Sequence, residues 1–410
     1  MLDNQVRILS LNCWGLKYIS TEREARITAI SERLRECSHY DIVALQELWV
    51  DRDYEHIKAA VAHFLPHTKR FYSGILAGPG LVVFSRWPIA HSSVFRFPLN
   101  GRPSAFFRGD WYVGKSVGFC IIDHPSGLKI DVFNAHLHAP YGTGDAAYTC
   151  HRTSQAWEMA RLAARASETG HVVFAVGDLN SRPGTLMHQL FERTGRLSDA
   201  WVTCHGEYEG NIASLSPEDQ ILLAGVTSDS QLNTWRVNYA KERAKRLDYI
   251  FYDETTAAPS ECKVVFTEPI PNIGSVSDHF GIEGSFVIHT PTPRQCDTDV
   301  EGSLTMFEQI LMMITEYKPV AKWQASWRIW HFWLSNATVV GMMVAIWWAA
   351  KSGRAYVGFI FTTATALIMT VGVIQGLIGY LFGWAETRAL KEFEDEIWMA
   401  RTYLAPTKAL

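Results

Sequence analysis

Short apolar runs recur through the first 290 residues, each closed by a polar or glycine-bearing turn. They read VRILSLN, DIVALQE, GLVVFS, KSVGFCII, KIDVFNAHL, HVVFAVGD, RLDYIFY and GSFVIH. Their length and β-branched content predict strands. Between them, residues 22–36 (EREARITAISERLRE) and 151–166 (HRTSQAWEMARLAARA) carry the period of a helix. Strands alternating with helices over residues 1–290 predict one α/β domain.

The pattern then changes. Residues 291–329 begin with a Pro/Thr-rich linker and continue into SLTMFEQILMMITEY (303–317), an amphipathic juxtamembrane helix with Ser303 as its expected N-cap. Residues 330–350 hold no formal charge over 21 positions, which as a helix reaches roughly 30 Å, the thickness of a bilayer core. A polar break, KSGR, separates them from a second apolar run over 355–384. Trp and Tyr gather at the ends of both runs, and small residues (GVIQG, GLIG) permit close helix approach. Residues 330–384 are thus expected to form a transmembrane hairpin, with 385–410 as a tail. Both flanks of a hairpin share one side of the membrane. The N-terminal residues show no basic stretch followed by an apolar one, so no cleavable signal peptide is expected. Lys318, Lys322 and Arg328 precede the first span, against Lys351 and Arg354 in the loop. This charge bias agrees with a domain and tail facing the cytosol. The endoplasmic reticulum or another internal membrane, mitochondria included, is the expected location.

Composition narrows the chemistry. With 38 basic and 42 acidic residues, the formal charge of −4 is too balanced for a nucleic-acid binder. The seven cysteines (13, 37, 120, 150, 204, 262 and 296) are scattered and form no CxxC, which argues for thiols in a reducing compartment.

One motif points elsewhere. GDWYVGKS, with Gly109, Gly114, Lys115 and Ser116, fits the spelling of a Walker A loop. Its variable positions are the bulky Asp110, Trp111, Tyr112 and Val113, and VGFCII after it reads as a strand where a phosphate-binding loop needs a helix. Nucleotide binding is therefore not expected. An ordinary hairpin with an exposed Asp110–Lys115 pair is one reading, and a pair arranging a nearby metal site is the other.

Six motifs place a polar residue at the end of an apolar strand: Asn12 in LSLNCWG, Glu47 in IVALQELW, His136 and His138 in FNAHLHA, Asp178 and Asn180 in FAVGDLN, Asp248 in RLDYIFY, and Asp278 and His279 in GSVSDHF. Polar groups at strand ends around one cleft are a usual way to build an active site. Carboxylates and amides without cysteine suit a hard cation such as Mg²⁺, and the histidines supply proton transfer. Together they suit metal-assisted hydrolysis of a phosphodiester.

In this order, LNCWG, QELW, HLHA, GDLN, RLDYIF and SDH resemble the DNase I-like endonuclease/exonuclease/phosphatase superfamily. Within it, FYSGILAGPGLVVFSRWPI, FRGDWYVGKSVG and the C-terminal hairpin resemble neutral sphingomyelinases. FPLNGRPSAFFRGDWYVGKS, HLHAPY, CHRTSQAWEMA and AKRLDYIF are most similar to the fungal branch, inositol phosphosphingolipid phospholipase C. The resemblance implies a four-layer α/β sandwich and phospholipase C-type release of ceramide from a membrane sphingolipid. Inositol head groups are the favoured substrate, phosphocholine the alternative, and a nuclease of the same superfamily a lesser one. It further implies Mg²⁺, with Mn²⁺ as a substitute, bound by Glu47 with Asn12 nearby. Asp178 and Asn180 would position water and a phosphate oxygen. His279 would act as general base, with Asp178 as the rival for that role. Asp248 and Asp278 would orient His279 or support the metal, and His136 would hydrogen-bond phosphate and protonate the leaving alkoxide. Asp110 and Lys115 match a pair proposed to control the metal site. Anionic phospholipids are expected activators. KERAKR (241–246) is a candidate contact for them or for the head group, or simply a solvated face.

Overall fold

The computed structural model describes residues 4–294 and 299–405, so Cys296 lies outside the described residues. The chain divides into two compact units. One holds the residues up to Gly101 and from Phe107 to Asp299, the other Arg102–Phe106 and the residues from Val300 on.

Among its described residues the first unit holds twelve strands: β1 (Gln5–Asn12), β2 (Ile42–Gln46), β3 (His67–Arg70), β4 (Val82–Ser85), β5 (Ile89–Arg96), β6 (Ser116–Asp123), β7 (Lys129–His136), β8 (Val172–Asp178), β9 (Ser198–Asp199), β10 (Asp248–Tyr252), β11 (Ala257–Val265) and β12 (Gly281–Ile288). They make two six-stranded sheets, ordered β11-β12-β1-β2-β4-β3 and β5-β6-β7-β8-β10-β9. Period-2 alternation explains the layers. Val6 and Ile8 of β1, Ile42 and Ala44 of β2, and Val83 of β4 join Val132, Phe174, Val176 and Ile250 of the other sheet in one apolar cluster between the sheets. The alternate positions, Leu9, Leu11, Val43, Leu45, Val82 and Phe84, pack with Ile27, Ile30 and Leu34 of helix Arg23–Glu36 and Ile57 of helix Asp51–Val61. Both faces of these strands are buried, hence the unbroken apolar runs in the sequence. The 20-residue helix Thr149–Glu168 serves the second sheet. This is the two-sheet α/β architecture expected of a DNase I-like fold.

Two parallel pairs occupy the sheet centres, β1 with β2 and β7 with β8. Register sets Asn12 opposite Gln46 in one and His136 opposite Asp178 in the other. Antiparallel β10 then sets Asp248 opposite Asp178. A Cβ on Gly177 would sit 1.9 Å from the Ala135 carbonyl oxygen, so only glycine lets β7 and β8 approach so closely there.

Between the sheets, beside these ends, lies a buried polar bridge. Gln46 Nε2 donates to Asn134 Oδ1 at 2.8 Å, and Asn134 Nδ2 donates to the carbonyls of Leu45 (3.1 Å) and Val82 (3.0 Å). Both side chains are fully buried.

In the second unit, helix Val300–Lys351 is 52 residues long. Ser303 lies inside it, three positions past its start, and so is no N-cap; the helix continues through Pro319 without a separate juxtamembrane segment. Lys318 pairs with Glu394, and Arg401 with Glu308 at 2.9 Å, so this stretch is held by helix Trp384–Leu404. The break at Ser352–Arg354 leads into Ala355–Leu377, which runs on through a π-helical turn, Ile378–Gly383. Both long helical segments are long and apolar enough to cross a membrane. Cβ atoms on Gly372, Gly376 and Gly383 would meet Ser335, Phe332 and Ala325 at 2.6–2.7 Å, so small residues set the helix approach.

Two outcomes follow for the catalytic unit. Asn134→Ala removes the side-chain donor to the Leu45 and Val82 carbonyls and the nearest acceptor of the Gln46 amide, which keeps Ser10 and the Ala44 carbonyl, at about 1–3 kcal/mol for each buried group left unsatisfied. Its thermal midpoint should fall by several degrees, and Gln46→Leu in the same protein should restore part of the loss. The second concerns His188, whose ring lies 3.3 Å from Asp199 and 3.3 Å from Glu192. Burial lowers its pKa, but the hydrogen bonds to Asp199 and Glu192 outweigh this and raise it to about 9. A raised folded-state pKa stabilises fully below the ordinary 6.5, and that stability is lost as pH rises through 9. Thermal midpoints measured from pH 6 to 9.5 should decline, and less steeply in His188→Gln.

Candidate active site

Asp178 is the hub. It ends β8, is 1 % exposed, and its Oδ2 accepts from Asn12 Nδ2 at 3.0 Å. The same oxygen lies 3.5 Å from His136 Nε2 and 3.7 Å from His279 Nε2. Asn12, from the first sheet, also donates to Glu47 Oε1 at 3.0 Å. One amide thus bridges a carboxylate from each sheet.

Turns after the strands aim the next side chains. Glu47 (φ 56°), directly after β2, and Asn180 (φ 48°), two residues past the end of β8, both adopt the left-handed region. This is ordinary for Asn but a local strain for Glu. Asn180 N donates to Asp178 Oδ1 (3.0 Å), its Nδ2 to the Leu137 carbonyl (3.0 Å), and Arg152 to its carbonyl.

His279 closes the cluster. Its Nδ1 pairs with Asp248 Oδ2 at 2.8 Å, leaving Nε2 toward Asp178. Ser277 Oγ donates to the Asn12 carbonyl (2.5 Å), tying this loop to the end of β1. Asp278 does not orient His279. It points to Arg236, whose Nη2 donates to its Oδ2 at 2.7 Å.

Asp110 and Lys115 join from the side. Lys115 Nζ donates to the Leu137 carbonyl at 2.8 Å, the acceptor Asn180 also uses, and pairs with Asp110 at 3.0 Å. Both are buried, 5 % and 4 % exposed, so the pair is not an exposed hairpin feature. Gly109 (φ 79°) and Gly114 (φ 65°) bracket a single helical turn, Asp110–Val113, and Ser116 opens β6. That is the reverse of a nucleotide-binding loop. Tyr141 donates to Asp110, and His138 lies 3.6 Å from it, stacked on Tyr148. KERAKR forms a short 3₁₀ turn, Lys241–Arg243, leading to β10.

The electrostatics separate the two histidines. Burial, then Lys115, pushes His136 down to about 3, so it is neutral. Burial also disfavours charge on His279, but Asp248 and Asp178 outweigh it and raise its pKa well above the ordinary value. Burial and the Asp278 charge push Glu47 up to about 7. Burial opposes ionisation of Asp178, yet His279, His136 and Lys115 hold its pKa below the usual value.

Asp178, Asp248 and His279 each offer a ligand atom, all within 4.8 Å of one another, and together they fit a divalent cation. Asp248 Oδ1 is buried without a partner among the described residues, and Glu47 is destabilised as an anion, so the donor set fits a hard cation by charge and by oxygen content.

Several contributors escape sequence reading. Gln46 and Asn134 look like strand interior residues, Arg152 like an exposed first-turn residue, and Tyr141, Ser228 and Arg236 like loop residues. Tyr141, Gln46, Asn134 and Arg152 lie within HLHAPY, QELW, FNAHLHA and CHRTSQAWEMA, already noted, whereas Ser228 and Arg236 lie in no motif singled out.

Residues 9–279 match the Endonuclease/Exonuclease/phosphatase family. The chain is 39% identical over 404 residues to an inositol phosphosphingolipids phospholipase C of Schizosaccharomyces pombe, covering 96% of this chain and 93% of that one. It is 38% identical to the Saccharomyces cerevisiae protein of the same name, over 98% of this chain and 92% of that one. Among solved structures it is similar to sphingomyelinase C from Streptomyces griseocarneus, with a TM-score of 0.53, 17% identity, and coverage of 68% of this chain and 99% of that one. That likeness is one of fold. Six motifs in order, two sheets meeting at Asp178, and a match running nearly end to end place the chain in the endonuclease/exonuclease/phosphatase family, among the relatives of the inositol phosphosphingolipid phospholipases C.

Proposed function

We propose that the protein is a Mg²⁺-dependent hydrolase of membrane sphingolipids, of phospholipase C type, releasing ceramide and a phosphorylated head group, with inositol phosphosphingolipids as substrate. One observation supports this above others: the match to the yeast phospholipases covers 96% of the chain, the two apolar helices included. A lipid substrate explains why a phosphodiesterase site shares a chain with such helices. Tethering raises the effective substrate concentration. We place the catalytic unit on the cytosolic side of an internal membrane, with anionic lipids as activators.

The residues divide the work. Glu47, Asn12, Asp178 and Asp248 are the groups to hold Mg²⁺, with Mn²⁺ as a substitute. The ion would supply Lewis-acid stabilisation of charge on a phosphoryl oxygen. Asn180 donates to a phosphate oxygen and, with Asp178, orients water. His279 accepts the water proton at Nε2 while Asp248 holds its Nδ1–H, which fixes the tautomer. Asp248 and Asp178 raise the His279 pKa, and a cation sharing their charge would lower it again. His136, held neutral, donates one hydrogen bond to the phosphoryl group, and the departing ceramide alkoxide takes its proton from bulk water.

The test is ceramide release by the full-length protein in Mg²⁺-containing mixed micelles presenting inositol phosphoceramide and sphingomyelin at equal surface fraction. Turnover of the inositol lipid is expected, and His279→Ala should lower kcat by about 10²–10⁴. Sphingomyelin preference would move the protein to the sphingomyelinases. Release from neither lipid would sink the assignment. Chelation should abolish turnover and added Mg²⁺ should restore it, with Glu47→Gln raising the Mg²⁺ concentration needed for half-maximal rate at least tenfold.

A further inference from the structure

Exposed apolar side chains are unevenly distributed over the catalytic unit, and strand register shows where they fall. Asn12 and Gln46 end the parallel pair β1 and β2, and Leu45 faces Val82, the first residue of antiparallel β4. Val82 in turn faces Arg70, the last residue of β3. In the other sheet, Val117 at the start of β6 faces Ala135, next to His136. The segments after β1, between β3 and β4, and before β6 therefore all leave from the end of the sheets that carries Asn12, His136 and Asp178.

These three segments expose large apolar side chains. Tyr18 and Ile19, after β1, are 88 % and 72 % exposed. Ile75, between β3 and β4, is 69 % exposed, its neighbour Leu76 is half-exposed, and Phe107, ahead of β6, is fully exposed. At the opposite end, residues 36–41, 86–88 and 124–128 expose no large apolar side chain among the described residues.

Backbone contacts hold the apolar segments to the site. The N–H groups of Ile75 and Leu76 both donate to the Tyr112 carbonyl, at 2.9 and 3.0 Å. A Cβ on Gly114 would lie 2.3 Å from Gly74, so only glycine lets these two loops meet. The carbonyl of Arg108, next to Phe107, accepts from Tyr141 Oη at 2.8 Å, and Tyr141 also donates to Asp110. The exposed residues thus sit on the loops that carry Asp110 and Lys115.

Charge indicates what covers them. Residues 13–20, 71–81 and 97–109 hold no acidic residue, and their cations are Lys17, Arg102 and Arg108. Apolar side chains flanked by cations and free of carboxylates match an anionic lipid surface. The chain itself points to such a surface, since it holds two helices long and apolar enough to cross a membrane.

Resting on the proposed lipid hydrolysis, we propose that Tyr18, Ile19, Ile75, Leu76 and Phe107 form an interfacial surface that enters an anionic leaflet and presents the cleft to its head groups. The phosphodiester of a lipid lies just above the acyl chains. Loops around the cleft bury their apolar side chains at that boundary while the reacting groups stay among head groups.

The experiment reads immersion directly. Full-length Ile75→Cys, Phe107→Cys and Lys129→Cys each carry an environment-sensitive fluorophore, in vesicles of phosphatidylcholine with and without phosphatidylserine. Lys129 is exposed at the start of β7, the opposite end, and is the reference; labelled wild type gives the background from native cysteines. Labels at 75 and 107 should shift to the blue and be quenched by lipid-borne nitroxides, more so with phosphatidylserine, while the label at 129 stays in water. Labels at 75 and 107 that behave like the one at 129 overturn the proposal. So does a blue shift without nitroxide quenching, which marks a protein partner. Kinetics is the second arm. Ile75→Asp and Phe107→Asp should each raise KM for inositol phosphoceramide in vesicles about tenfold, the scale of one lost apolar burial, and leave kcat/KM for a short-chain, water-soluble analogue unchanged. Equal losses on both substrates overturn the interfacial role. A wild type inactive on both sinks the lipid-hydrolase reading, and the labels then decide this one alone.

Discussion

The bridge between Gln46 and Asn134 fixes everything that follows. Each sheet carries half of the site. Asn12 and Glu47 end strands of one; His136, Asp178 and Asp248 lie at strand ends of the other. Apolar packing between the sheets is non-directional and would tolerate a small slide. Two buried amides, paired at 2.8 Å, do not. A slide orphans polar groups in a dry interior, each with the full desolvation cost. Asn12, bonded at 3.0 Å to Asp178 and to Glu47, repeats the constraint at the site itself.

Once the halves are held, the site becomes a concentration of negative charge in a low-dielectric cleft. Asp178 stays ionised because His279, His136 and Lys115 surround it. Glu47 is pushed the other way by burial and by the Asp278 charge. The two histidines diverge for the same reason: His136 sees burial and Lys115, His279 sees two carboxylates. Such divergence assigns different work to chemically identical side chains. It also concentrates carboxylate charge in the cleft, which a divalent cation would relieve.

The helical unit answers to a different physics. Its exposed tryptophans gather toward the ends of the apolar stretch, Trp330 and Trp333 at one end and Trp347 and Trp348 at the other, an arrangement suited to two interfaces. Between the helices, glycines remove side chains where backbones meet. Neither feature needs the catalytic unit, and both are local enough to be written directly into the sequence.

That locality marks what the sequence alone determined. Strand and helix positions, the two apolar spans and the six polar residues at strand ends follow from periodicity and from residue type, which act over a few positions. The absence of a nucleotide loop at Gly109–Ser116 followed from the strand after it. Tertiary structure alone decided which of those polar residues touch. It made Asp248 the partner of His279 and turned Asp278 toward Arg236, although the sequence offered both aspartates equally. It buried the Asp110–Lys115 pair, ran one helix through Ser303, and set Lys245 two neighbours from His279 by way of Ser228. These contacts join residues far apart in the chain. They depend on strand register and on the offset of two sheets, quantities no local pattern of residues encodes.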